Sequence, residues 1–200
     1  MQVDTVRPER ADEKQVAILD AAFDAFRAYG FRRVSMADIA RGAGMSRAAV
    51  YLHFKNKEAI FNALVQSYFD QVATQMAGVL AAAPDPVAGL RAALALKVAK
   101  PFDALMASPH GAELMDAKST VAAEMAAAGD ARLTGVLADW LESAARDGRV
   151  TLEAFGTAGE TASVIYEAVH GVVMAARDYD RLLTDLDRLA RLFGRALTPA

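Results

Sequence analysis

Between Arg27 and Lys57 the chain places seven cations, Arg27, Arg32, Arg33, Arg41, Arg47, Lys55 and Lys57, against one definite acid, Asp38. The local excess of positive charge contrasts with a net charge of −3 for all 200 residues, so basicity is concentrated here rather than spread. Such a face suits a phosphate polyanion, because neutralising phosphates releases their counterions. Arg47 can reach a guanine edge or a phosphate, and small Ala48 and Ala49 beside it would let a helix sink into a groove. His53 adds a phosphate donor where it is exposed and simple packing where it is not. Lys57 falls in the first turn of a helix, where unpaired N–H groups and the positive dipole end also favour phosphate.

Residues 34–57 must position these groups. Ser35 and Asp38 have the spacing of a capping box, and Val34 with Ile39 that of a hydrophobic staple. Gly42-Ala43-Gly44 supplies glycine for a sharp helix end. Ser46 caps a second helix, with Met45 and Val50 as its staple. Helix, short glycine turn, helix is the helix-turn-helix pattern, whose second helix lies in the DNA major groove.

The run Ile39-Ala40, Ala43-Gly44-Met45-Ser46, Tyr51-x-His53-Phe54 and Lys57-Glu58 resembles the N-terminal domain of the tetracycline-repressor (TetR) family of transcriptional regulators, over roughly residues 12 to 60. The resemblance implies an all-α dimer. Three N-terminal helices would form a helix-turn-helix DNA-binding domain, and a divergent C-terminal helical bundle would bind a ligand and dimerise. It implies DNA contacts for Ser46, Arg47, Ala48, Ala49, Tyr51 and His53, with Tyr51 and Lys57 at phosphates. Arg33, Ser35 and Met36, at the entrance to the first helix of the pair, complete the set expected at DNA. Ala48 and Ala49 depart from members with hydrogen-bonding residues there. Base reading then rests on Arg47, on methyl contacts or on groove shape.

Two hundred residues suffice for one large helical domain or two modest ones. Without cysteine there are no disulfides or thiolate metal sites. The opening MQVDTVRPERADEK has no apolar core of a secretory signal, and no run approaches 18 apolar residues, so a cytoplasmic protein that spans no membrane is expected. The 54% hydrophobic content is rich in alanine, which favours helices. Residues 1–11 read as a mobile arm, with Arg7 and Arg10 able to enter a minor groove, or as a plain tail. Lys14 to Tyr29 reads as an amphipathic helix ended by Gly30. Asn56 caps a helix running to about Leu80. Beyond Pro84-Asp85-Pro86, proline and glycine mark helices near 86–100, 101–107, 111–128 and 130–147, with Gly129-Asp130 as a break and a loop over 149–156. The expected division is an arm at 1–11, a DNA-binding domain at 12–57 and a ligand-binding and dimerisation domain at 58–200.

The last two helices, 161–179 and 181–197, carry the stripes Val169, Val172, Val173, Ala176 and Leu186, Leu189, Phe193. Paired with a second copy they would form a four-helix dimer interface; the alternative is that both stripes are internal core. Arg181–Asp185 and Asp187–Arg191 have i, i+4 ion-pair spacing on the last helix. Phe102, Met106, His110, Trp140, Tyr166, His170 and Met174 are the candidates for lining an effector pocket. No metal site, cofactor fingerprint or nucleophile with its base is apparent, so no metal, cofactor or enzymatic activity is expected. The sequence therefore predicts a homodimeric regulator, a repressor, that binds palindromic double-stranded operator DNA. A small, largely apolar effector would release it by tilting the long helix after Asn56. The competing class is a helical protein-interaction adaptor that uses the same motif without DNA.

Overall fold

The computed structural model describes residues 7–97, 120–176 and 178–199. Among them there are eight helices and no strand: α1 Arg7–Tyr29, α2 Met36–Gly42, α3 Arg47–Tyr51, α4 Lys57–Ala82, α5 Pro86–Lys97, α6 Thr120–Arg146, α7 Ala158–Ala175 and α8 Tyr179–Ala196. None of these helices is long and apolar enough to cross a membrane. The helices at 101–107 and the start of that at 111–128, expected from sequence, lie outside the described residues.

The described residues divide into two compact units, one built on 7–68 and 120–126 and the other on 69–97, 127–176 and 178–199. In the first, α1 contributes Ile18, Ala22 and Phe26, one to two turns apart on one face, to a core completed by Val34, Met36, Ile39, Ala40, Val50 and Ile60. Phe26, Phe31 and Phe61 close it with ring centroids 5.2–6.2 Å apart in tilted or edge-on pairs. Helix α1 begins at Arg7, so residues 7–11, expected in an arm, are helical. Pro8 is tolerated because the first-turn N–H groups have no intrahelical acceptor anyway. Gly30, at φ 83°, ends the helix.

Helix α4 starts in the first unit and finishes in the second. Asn56 caps it, its Oδ1 accepting from Ala59 N–H at 2.8 Å. In the second unit, α8 lies along α5 and against α7, and Arg91 on α5 pairs with Asp187 on α8 at 2.6 Å. The expected helical pairs also form, Arg181–Asp185 at 2.6 Å and Arg191 with Asp187. A capping box at Thr157 and Glu160 starts α7. The expected break at Gly129 is absent, since α6 passes through it without interruption. A Cβ there would sit 2.3 Å from the Phe69 ring, so this glycine admits the α4 aromatic instead of ending a helix.

Gly194 has the same role where α8 meets α5: an added Cβ would fall 2.6 Å from Val87 Cα and 2.8 Å from Val87 N. Backbone cannot swing aside as a side chain can, so Gly194→Ala is expected to cost about 1–3 kcal/mol. Thermal unfolding of the variant checks this; an unchanged or raised midpoint contradicts the packing.

Candidate nucleic-acid interface

Helices of seven and five residues are far below the roughly 12 needed for a marginally stable isolated helix, so α2 and α3 depend on their ends and their buried sides. At α2 the Ser35 hydroxyl accepts from Asp38 N–H at 3.3 Å. The Asp38 carboxylate in turn accepts from Ser35 N–H at 3.0 Å and from its hydroxyl at 2.6 Å. These bonds, the side-chain one foremost, hold the Asp38 carboxyl below its ordinary pKa, helped by Arg41 at 3.1 Å. Met45 N–H donates to Ala40 carbonyl at 2.9 Å while Gly44 takes φ +66°, so the chain reverses where only glycine sits without strain. Ser46 then caps α3, its hydroxyl accepting from Ala49 N–H at 3.1 Å. Val50 is fully buried and fixes the rotation of α3 about its axis.

With Val50 inward, Ser46, Arg47, Ala48 and Tyr51 are exposed on α3 and its cap. Arg47 donates to the Tyr51 hydroxyl at 3.2 Å and lies 5.4 Å from the Tyr51 ring centroid, which holds the two side chains together. Ala49 and His53 are half-buried. Arg33 is exposed and makes no ion pair or hydrogen bond with its side chain among the described residues. Ser35 is exposed with its hydroxyl engaged in the cap. Met36, expected at DNA, is instead 8% exposed and part of the core: the residue following the cap points inward. Lys57 is also differently occupied. Its ammonium donates to the carbonyls of Phe31, Arg32 and Val34 at 2.8, 3.2 and 3.2 Å and sits 4.6 Å from the Phe31 ring centroid. An ammonium has three donors, and here all three are committed to the α1–α2 connection. Leu52, absent from the expected set, is 86% exposed; its place four residues after Ala48 was the available signal.

In the second unit, Tyr166 and His170 come together in a cleft of about 310 Å³ with Asp130, Thr134, Ser163 and Glu167. The Tyr166 hydroxyl donates to Asp130 at 3.1 Å, so the cleft holds a polar pair in its wall. Trp140 is not among its lining residues; it is buried, and its indole N–H has no acceptor among the described residues. Met174 is 69% exposed and lines no cavity wall there. Phe102, Met106 and His110 lie outside the described residues. Of the expected interface residues, Val169, Leu186 and Phe193 are buried within their own chain. The stripe read as intersubunit is therefore core at these positions, as when Phe193 meets Phe155 at 6.0 Å. Val172, Val173, Ala176 and Leu189 are half-buried. The large apolar residues that α7 and α8 leave exposed are Val164, Met174, Tyr179, Leu183 and Leu192.

Residues 18–64 match the sequence profile of the bacterial regulatory proteins of the tetR family. The chain is similar to the HTH-type transcriptional regulator TtgR of Pseudomonas putida, with 44% identity over 59 residues, 30% of this chain and 28% of that protein. It is also similar to the HTH-type regulator YfiR of Bacillus subtilis, at 35% over 66 residues, 33% and 32% of the two. The matched stretch thus spans under a third of these relatives' length. Its fold is similar to that of a TetR-family regulator from Mesorhizobium loti, at TM-score 0.75 and 22% identity over 95% of this chain and 99% of that one. A transcriptional regulator from Cytophaga hutchinsonii gives 0.74 and 21% over 94% and 100%.

The Ser35–Asp38 cap carries a pH signature. Asp38 titrates lower when folded than its ordinary value of 3.8, so its contribution to stability is complete at neutral pH and is lost as pH falls through the folded value. Asp38→Asn is expected to lower the thermal midpoint at neutral pH, and the gap from the parent protein should narrow below about pH 4. A gap that stays constant into strong acid contradicts the assignment.

Proposed function

We propose that this chain, a member of the tetR family of bacterial regulatory proteins through its residues 18–64, is a ligand-responsive transcriptional repressor that binds palindromic operator DNA as a homodimer. The observation that carries this reading is α3 itself: a capped, core-anchored helix whose Ser46, Arg47, Ala48 and Tyr51 face solvent in the most cationic part of the chain. Its DNA-reading part is residues 12–57, with Arg33, Ser46, Arg47, Ala48, Ala49, Tyr51 and His53 at or beside the duplex. Arg33 and Lys55 contact phosphates or contribute field. Lys57 holds the α1–α2 connection against α4 and contributes charge from there.

Residues 58–200 form the ligand-binding and dimerisation part of the proposal. Dimerisation uses the exposed apolar residues of α7 and α8, and it supplies the second reading head that two half-sites one helical turn (about 34–36 Å) apart require. The effector is a small molecule taken up by the second unit, with Tyr166 and His170 in its cleft as the candidate contacts. Helix α4, shared by both units, is the element through which an effector would change the spacing of the heads. Moving the protein from almost wholly bound to almost wholly released requires a preference of about 5.5 kcal/mol for the released form.

Band-shift titration of the full chain on a palindromic fragment from beside its own gene tests the reading. Specific binding that weakens steeply with added salt is expected; a shift that is absent or indifferent to salt favours the adaptor alternative. Arg47→Ala is expected to relax discrimination at one base position if the guanidinium reads a base, whereas uniform weakening on every sequence assigns it to a phosphate.

A further inference from the structure

We infer that the outermost line of α3 is an apolar ridge, Ala48 and Leu52, that reads thymine through its C5-methyl group in the major groove, with Leu52 as the specificity-determining residue. The inference rests on the DNA-binding reading above and names what the helix recognises.

Residues four apart stand one above the other on a helix. Leu52 keeps helical backbone angles, φ −69° and ψ −25°, so the register of α3 continues through it. Buried Val50 lies two positions from each member of the pair, close to the opposite side of the helix, so burying Val50 turns Ala48 and Leu52 furthest from the core. Leu52 is 86% exposed, more than any other large apolar side chain among the described residues. A lone exposed leucine is ordinary. This one extends from the end of a helix between Arg47 and Lys55 in the sequence, on the same line as an alanine that leaves the backbone free to approach.

Base edges in the major groove offer donors, acceptors and one apolar feature, the thymine methyl. The outward side of α3 carries no Asn, Gln, Asp or Glu to pair with adenine or cytosine edges. Its one strong donor, Arg47, is turned to the Tyr51 hydroxyl. Thymine is the base that an Ala–Leu ridge distinguishes from the others.

The test uses the full-length protein and duplexes that it selects from a random pool. Each thymine of the selected duplex is replaced in turn, in both half-sites, by 2′-deoxyuridine, which removes the methyl and leaves the hydrogen-bonding groups. Burying one methyl is worth about fourfold in affinity, so a symmetric replacement should weaken binding about fifteenfold at one or two adjacent positions. Leu52→Ala, at a surface position where folding is checked by its thermal midpoint, should bind thymine and uracil duplexes alike. Arg47→Ala should retain the discrimination. Indifference of the parent protein to every replacement overturns the inference, as does a Leu52→Ala protein that keeps the full sensitivity. Uniform weakening by Leu52→Ala with no uracil effect also overturns it and assigns Leu52 to the sugar–phosphate backbone. Failure to select any duplex is distinguishable from these, since it removes the DNA-binding reading and this inference with it.

Discussion

A helix of five residues cannot hold itself together, and the account of this protein depends on how that deficit is met. Helix α3 has its first N–H groups answered by Ser46, its approach set by Gly44 in the left-handed region, and its rotation fixed by Val50 in the core. Gly44 and Val50 act away from the outward side and Ser46 commits its hydroxyl to the cap, which leaves Arg47, Ala48 and Tyr51 turned to solvent. The reading side is rigid because the opposite side is buried, and an alanine-rich outer surface is affordable because it carries no structural duty.

The same division separates cations that hold the unit together from cations that face outward. Lys57 gives all three donors to carbonyls, and Arg41 leans on Asp38. Arg33 and Lys55 remain exposed. The basic region is thus partly scaffold and partly surface, and a count of charges overstates the number of direct phosphate contacts. Helix α4 begins beside this scaffold and continues into the second unit. Lys57, at its first turn, ties its start to the connection that precedes α2.

What could be read from sequence was what depends on near neighbours. Caps and staples relate residues three to five apart, so Ser35–Asp38, Ser46 and Asn56 appeared with their partners. The equivalent Thr157–Glu160 box was readable by the same rule. Lys57 reaches carbonyls 23 to 26 residues earlier, a relation that no local pattern contains. Gly129 next to Asp130 looks like a helix stop until Phe69 is known to occupy the space of its missing side chain. Periodicity said that Val169, Leu186 and Phe193 are buried, but it cannot say whether the cover is the same chain or another. The cleft at Tyr166 and His170 was half legible, because Asp130, which meets Tyr166 there, lies 36 residues earlier in the chain. Leu52 was accessible to a projection of α3 once Val50 had been placed inside.

The most direct measurement is amide chemical-shift mapping of the isotopically labelled full chain, titrated with the duplex it selects. The account predicts that the largest changes fall on residues 46–53 and near Arg33, with the fully buried amides around Ile18 and Phe26 little affected. Changes that leave 46–53 untouched and gather elsewhere would contradict the claim that this short helix is the part that meets DNA.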